Sequence, residues 1–370
     1  MEQWTLWLLL AVIVLPVTFM MIATPYLTRR TESFGIGITE EVYLSDTLKR
    51  IRSRYAITLG VLCAGLLAAA LLIFPLQDEQ SMPYLMVGYV SVAGIASFLL
   101  YLYNHNRMKQ LKEQHGWQQP DMQRAVIDTR FRSRKPTLSN FCFVPHLVVS
   151  AATFVIVFLM YDKFPETIAM QYDFQGQVTR SVDKSYFSLL LPVGFQLLMI
   201  AMLMLTNTII SISKQQLDKS DAAASTERSL VFRRSWSIMI VITGFLLTLL
   251  FSFMIMTDLL GIPPFVMTLV PLLITGVILG GSIWLSVRVG QGGSRLKHVP
   301  AGAAATGTGP SDDDKHWKLG IFYYNPADPA LFLEKRFGVG WTMNMGRPLG
   351  MLLAILPLVI VALVIWLVPK

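Results

Sequence analysis

At 370 residues, 54% of them hydrophobic and 15% charged, with a mean hydropathy of +0.53, the chain is no water-soluble globule. Soluble chains carry roughly 25% charged residues, so the deficit marks a membrane protein. The net charge of +8 raises nucleic acid as a partner, but the basic residues are distributed as a topology signal and no nucleic-acid role is expected.

Eight apolar runs stand out, at 4–24, 57–75, 84–103, 141–160, 186–212, 235–257, 265–287 and 349–369. About 20 helical residues cross a bilayer core, and spans with almost no charge are satisfied most cheaply as a helical bundle. Lys and Arg number six in 25–56, eight in 104–140, five in 213–234 and eight in 288–348. The alternate connections 76–83 and 258–264 carry none, and 161–185 carries three. By the excess of basic residues on the cytoplasmic side, both termini are expected outside and the four basic connections inside. The fold class is thus an all-α membrane protein of about eight transmembrane helices, with small β elements outside the spans. Glu2 stands where a cleavable signal peptide has its basic start, so none is expected. Cys63 and Cys142 lie in or beside spans and imply no disulfide framework. Trp4, Trp7, Trp236, Trp284 and Trp366 fall near span ends, where amphipathic rings favour the interface.

In chain order, 1–140 forms a three-span region with cytoplasmic loops. After its first span comes FGIGIT (Phe34–Thr39), then a basic stretch in which Ser45 reads as the N-cap of a helix entering the second span. Gly60, Ala64 and Ala68 form a small-residue face suited to close helix approach. The third span continues as a helix to Gly116. His105 and His115, ten apart, have poor metal-ligand spacing, and no metal or cofactor is expected.

Residues 141–212 form a two-span unit around the loop 161–185. Its polar exceptions are His146, close enough to the interface to be solvated, and Gln196, an intramembrane polar group of the kind that often marks function. Within the loop, Ile168, Met170, Tyr172 and Phe174 alternate, and Asp173–Gly176 can turn the chain. An extracellular β-hairpin with one apolar face is expected, Gly176 supplying the positive φ. That face can pack on the outer ends of the bundle or receive an amphipathic peptide.

Residues 213–288 are expected as a two-span hairpin led by a solvated Ala/Ser/Asp/Lys-rich linker (213–234), with Gly276 and Gly280 as a close-packing pair. The Gly/Ala/Ser/Pro-rich run 289–314 reads as a flexible linker ending in three aspartates. Residues 315–348 then change composition abruptly. Trp317, Leu319, Ile321 and Tyr323 alternate as a half-buried strand would, Asn325–Pro329 is a turn, and Leu331, Leu333 and Phe337 resume an extended pattern. A small cytoplasmic β-rich segment before the last span (349–370) is expected, too short to be stable without a partner surface. FGVGWT (Phe337–Thr342) echoes FGIGIT, and the two are expected to pack together beneath the bundle.

The run Phe164-Pro165-Glu166-Thr167-Ile168, followed by Tyr172, Gly176, Asp183 and Lys184, resembles the extracytoplasmic signature of SdpI-like bacterial membrane proteins. Pro165, Ile168, Tyr172 and Gly176 match, whereas Ala169, Gln171 and Thr179 replace the family's second proline, its histidine and its usual aspartate. The segment WKLGxFYYNPxDP…KRFGxGWTxN is similar to a domain of unknown function at the C-terminal end of some such proteins. It supplies Trp317, Gly320, Tyr323, Asn325, Asp328, Pro329, Lys335, Arg336, Phe337, Gly338, Gly340 and Trp341. SdpI protects its producing cell from a secreted toxic peptide and recruits a repressor to the membrane. The resemblance therefore implies a bacterial multi-pass protein of the cytoplasmic membrane that binds a secreted peptide outside, through Pro165, Ile168, Tyr172, Gly176, Asp183 and Lys184, and a regulatory protein inside.

No paired histidines at helical ligand spacing, Walker-type loop, G-x-S-x-G or intramembrane carboxylate pair is present. A non-enzymatic sensor or immunity protein in contact with membrane lipids is expected. The alternative is a permease or lipid-handling protein with a substrate cavity lined by Ser150, Gln196 and Asn207.

Overall fold

The computed structural model describes residues 7–73, 82–117, 135–173, 176–216, 222–296 and 313–367. Phe174 and the basic run 124–134 lie outside the described residues. The protein is mostly helical, and four two-stranded antiparallel hairpins join its helices. Among the described residues, seven helices are long and apolar enough to cross a membrane.

The first, α1 (Trp7–Leu27), leads into the short hairpin β1 (Glu32–Ser33)–β2 (Ile36–Gly37) and the single turn α2 (Glu40–Leu44). Ser45 then starts α3 (Asp46–Ile73), its hydroxyl accepting the Leu48 amide at 3.4 Å, as an N-cap does. The buried face of α3 carries Leu48, Ile51, Tyr55, Leu59 and Cys63, the 3–4 spacing of one helical stripe. Ala64 and Ala68 point away from the bundle and only Gly60 approaches α1, at Ile22. The expected small-residue face is therefore not a packing face; the bulkier stripe beside it is. The helix α4 (Met82–His115) runs well past its apolar part and stops at Gly116, whose φ of +61° ends it.

A second group begins with α5 (Val144–Leu159), followed by β3 (Thr167–Tyr172), β4 (Val178–Asp183) and α6 (Tyr186–Ile212). Ser185 and Ser188 close a reciprocal cap at the start of α6. The 39-residue α7 (Ala222–Leu260) packs on both α5 and α6. At 1.5 Å per residue it is about 58 Å long, nearly twice the ~30 Å hydrocarbon thickness. Its early turns bury Ser225, Thr226, Ser229, Phe232 and Arg233. Residues 224–233 thus belong to a helix with one buried face and not to a solvated linker, because the C-terminal segment packs over that face. α8 (Pro264–Val289) joins α7 to α1, with Gly276 against Val12 and no neighbour near Gly280.

The segment 313–347 forms a cap of two hairpins, β5 (Trp317–Lys318)–β6 (Phe322–Tyr323) and β7 (Phe332–Glu334)–β8 (Trp341–Met343). The expected single strand over Trp317–Tyr323 is broken by a turn, since Leu319 and Gly320 both take positive φ, 53° and 70°. The eighth apolar run forms α9 (Pro348–Leu367), of which Pro348–Leu363 counts as a shorter apolar helix. Its Leu349, Leu352, Leu358 and Trp366 are exposed, so α9 leaves the cap without packing these residues on the bundle.

The connections fall into two sets. Residues 28–45, 105–117, 213–216, 289–296 and the cap meet at one end, through contacts described below. The hairpin β3–β4 and the α7–α8 turn meet at the other, where Gly176 (φ +78°) lies against the Pro264 carbonyl. The basic connections thus share one end, called the basic end here. The apolar face of β3–β4 is spoken for: Phe164 and Ile168 pack with Val157, Leu189, Val193 and Ile255. Of the two fates open to that face, packing on the bundle is the one observed.

A Cβ at position 176 meets the Pro264 backbone, and an L-residue there is also in a left-handed conformation. Gly176→Ala is expected to lower the midpoint of thermal unfolding in detergent, by the equivalent of about 1–3 kcal/mol, whereas Gly280→Ala leaves it unchanged.

Candidate functional site

The cap meets the end of nearly every helix at the basic end, each through a specific polar contact. Glu334 of β7 is 0% exposed and is held by two arginines from different helices. Arg233 of α7, also 0% exposed, donates Nη2–H to Glu334 Oε1 at 2.9 Å, and Arg29 after α1 pairs with Glu334 Oε2. Ser229, one turn before Arg233, donates to the same carboxylate at 3.4 Å. The other arm of Arg233 donates to the Ile210 and Ser213 carbonyls at 2.7 and 2.9 Å. A cation is well placed there, at the negative end of α6.

Asp314 is the second anchor. It accepts from Lys112 of α4 at 2.7 Å, from the Gly37 amide at 3.1 Å and from Arg336. Arg336 is buried and forks between Asp313 and Asp314, with a further bond to the Gly35 carbonyl at 3.2 Å. The aspartates read as the end of a flexible linker are therefore a docking site for the cap's own arginine. A third anchor, Asp328, accepts from Lys214 after α6 at 2.6 Å and from the Tyr323 hydroxyl at 2.8 Å. The fourth is Gln291, just beyond α8. Its amide donates to the carbonyls of Lys335 and Gly340 and accepts the Gly340 N–H at 2.8 Å. The glycine-rich start of the expected linker is thus ordered and buried at Gln291.

The two FG segments pack together. Phe34 stacks on Phe337 with ring centroids 5.8 Å apart, and Tyr101 lies 4.3 Å from Phe337. Gly35 and Gly320 touch backbone to backbone beside the Tyr101 hydroxyl, which donates to the Leu319 carbonyl at 2.8 Å. His105 Nδ1 bonds the Phe34 carbonyl at 2.8 Å.

Other cap residues hold the cap itself together. Asn344, fully buried, donates to the carbonyls of Asn325, Asp328 and Ala330 and accepts the Asn325 and Gly346 amides. Trp317 packs on Tyr323 under the Arg336 guanidinium, and Trp341 lies 5.1 Å from Phe232 of α7. Gly338 faces Thr24 of α1, and Pro329 is exposed.

The residues singled out in the 161–185 loop do not form one surface. Ile168 and Gly176 are buried, Tyr172 is half-buried, and Lys184 is engaged by the Phe164 carbonyl and Glu166. Pro165 and Asp183 remain exposed. Gln196 donates across to the Thr248 carbonyl and Ser252 Oγ, at 3.0 and 2.9 Å. His146 is buried, not solvated: its ring lies between Phe143 and Phe245, and Nε2 bonds the Val241 carbonyl at 3.0 Å.

Sequence reasoning missed Arg29, Glu32, Arg233, Gln291, Glu334 and Asn344. One signal was present. Ser225, Ser229, Arg233 and Ser237 recur every four residues, a polar stripe along the face of α7 that the structure buries.

A model of a family of unknown function, DUF5808, matches residues 326–351, taking in Glu334, Arg336 and Asn344. A model of a domain of unknown function, DUF1648, matches residues 148–195, from α5 through the hairpin into α6. DUF1648 is typical of membrane proteins. No curated protein and no solved structure matches the chain. The spans and these matches make the chain an integral, multi-pass membrane protein.

Burial pushes the Glu32 carboxyl up from 4.5 to about 7, Arg29 and Arg336 opposing only in part. Burial also works upward on Asp314 and Asp328, but Arg336 and Lys112 hold the first below its ordinary value, and Lys214 with the Ala330 amide the second. A folded-state value above the unfolded one gives stability that is present at low pH and lost as pH rises through about 7. For Asp314 and Asp328 the sign is opposite, with stability lost only as pH falls below 3.8. Hydrogen exchange over Trp317–Met343 is therefore expected to quicken from pH 5 to 8, by at most about 3 kcal/mol of protection; Glu32→Gln flattens that slope. Glu334→Ala removes the carboxylate that neutralises two buried guanidinium groups, at a cost of about 3–5 kcal/mol, and is expected to make the cap sensitive to limited proteolysis at neutral pH.

Proposed function

We propose that the protein is a non-enzymatic sensor or immunity protein of the bacterial cytoplasmic membrane, in which the β3–β4 end faces outward and the cap faces the cytoplasm. One observation carries the reading: α7 touches both ends. Its early turns hold Glu334 of the cap through Arg233, and Ile255, Met256 and Leu259 near its other end pack with Phe164 and Ile168 of the hairpin segment. A secreted antimicrobial peptide or envelope component that binds the hairpin end more tightly in one arrangement than the other shifts α7, and with it the cap. Only such a difference in affinity can move the equilibrium. Displacement of Glu334 or Arg336 then changes what the cap offers a cytoplasmic regulatory protein. The resemblance to SdpI-like proteins supports the same direction, as does the basic surplus at the cap end.

Because Ile168 and Gly176 are buried, the exposed residues Pro165 and Asp183 and the outer face of β4 are the parts of the loop within reach of a peptide. A permease or lipid-handling protein is the second reading, favoured by the buried polar residues Ser150, Gln196 and Asn207 between α5, α6 and α7.

A strain lacking the gene is expected to be more sensitive to at least one member of a broad panel of antimicrobial peptides. Complementation with the natural chain restores resistance, while the Glu334→Ala chain, present in the membrane at comparable level, does not. Unchanged sensitivity of the deleted strain across the panel sinks the immunity reading.

A further inference from the structure

α1 and α8 run side by side toward the basic end, with Gly276 against Val12 on their contact line. Each leaves an apolar stripe uncovered. On α8 the stripe is Leu273, Val277 and Trp284, with Arg288 one turn on; on α1 it is Leu15, Phe19 and Tyr26. Within each set the spacing is four or seven residues, so each marks one helix face. Counted from the Val12–Gly276 contact at 3.6 residues per turn, the stripes turn in opposite senses around two helices that point the same way. They therefore flank one groove. Arg295 spans its mouth, donating Nη1–H to the Val287 carbonyl at 2.9 Å and Nη2–H to the Tyr26 carbonyl at 3.3 Å.

Gly280 lies on the same side of α8, and no atom comes within 4 Å of where its Cβ would stand. Gly276 makes room for Val12 and Gly281 for Met239, whereas nothing in the described chain fills the notch at Gly280. From Val277 to Arg288 the helix rises about 16 Å, half of the ~30 Å apolar core. The groove is one leaflet deep.

Its mouth is cationic. The Arg288 guanidinium lies over the Trp284 ring, 5.0 Å from the centroid, at the level where aromatic rings favour the interface. Arg295 is presented by an ordered turn, since Gln291 in the same turn bonds the Lys335 and Gly340 carbonyls of the cap. Neither arginine meets a carboxylate among the described residues; Arg30, by contrast, is taken by Glu40 at 2.9 Å. An apolar groove one leaflet deep with two uncompensated guanidinium groups at its mouth complements a molecule with an anionic head and a long apolar chain. The guanidinium fork suits phosphate, and basic pockets between spans on the charged side bind anionic headgroups. A second copy's α9 matches the apolar stripe only: residues 348–367 contain no Asp or Glu to meet the arginines.

We propose that α1 and α8 hold an anionic phospholipid at the basic end, its phosphate on Arg288 and Arg295 and one acyl chain in the groove over Trp284, Gly280 and Val277. The site needs only the multi-pass embedding of the chain, so it stands or falls apart from the sensor reading.

The full chain in non-ionic detergent, mixed with equal amounts of phosphatidylglycerol and phosphatidylcholine and read by native mass spectrometry, tests the site. Retention of phosphatidylglycerol is expected, with a preference of about tenfold. Arg288→Gln, at a side chain that touches only Trp284 among the described residues, is expected to cut that preference several-fold without moving the thermal midpoint. Gly280→Phe fills the notch and is expected to weaken phosphatidylglycerol retention with both arginines in place. Equal retention of the two lipids by the natural chain overturns the proposal, as does a preference undiminished in either variant. Millimolar inorganic phosphate is expected to leave the bound lipid in place; its displacement marks a plain anion site and overturns the lipid as occupant.

Discussion

Glu334 is a carboxylate with no access to water, and everything at the basic end is arranged around it. Taken alone, such a charge in a low-dielectric interior is worth several kcal/mol of destabilisation. It is tolerated because Arg29 and Arg233 approach from opposite sides and Ser229 adds a hydroxyl. Those partners belong to the segment just after α1 and the early turns of a continuous α7, so the requirement to neutralise one side chain fixes three segments relative to one another. The hairpin that carries Glu334 has only three residues in each strand. A two-stranded hairpin of that size is marginal in water. Its order therefore comes from the anchors outside it: Glu334 on α1 and α7, Asp314 on α4, Asp328 on the end of α6, and Gln291 on the end of α8.

This dependence explains which parts of the molecule were legible in the sequence. Spans announce themselves by length and apolarity, and the sorting of Lys and Arg among the connections matched the two ends that the structure builds. Local signals also read true: Ser45 caps α3, Gly116 stops α4, and Gly176 turns the β3–β4 hairpin. The FG echo between Phe34 and Phe337 pointed to a real contact, since the two rings stack, although Gly35 meets Gly320 and Gly338 faces Thr24. What was illegible is long-range charge pairing. Arg233 and Glu334 are 101 residues apart, and nothing in the local composition of either names the other. Residues 222–234 looked like a linker because Ala, Ser and Arg are all common in solvated chain. One face of this helix, with Ser225, Ser229 and Arg233, is buried because a cap folded from the far end of the sequence lies on it. The same substitution of context for composition turned Asp313 and Asp314 from linker end into docking site.

α7 joins the two regions matched by the domains of unknown function. DUF1648 covers the hairpin that packs on one end of the bundle, and DUF5808 the hairpin clasped at the other. Neither touches the whole of α7, and α7 is stiff along its length: among its 39 residues there is no proline, and its one glycine, Gly244, is occupied by the His146 ring. A helix of that kind transmits rotation or translation with little loss, whereas the short loops beside it do not. The proposed relay needs only two arrangements of α7 that differ in how well Arg233 meets Glu334.

The division of polar groups along the molecule follows from dielectric. Full charges are gathered in the cap, where several partners and the nearby aqueous surface limit their cost. Within the spans of α5 to α7 the polar groups are hydroxyls, amides and one imidazole. Neutral groups of this type lose far less than ions on leaving water, and each can satisfy a helix-to-helix bond such as Gln196 to Thr248.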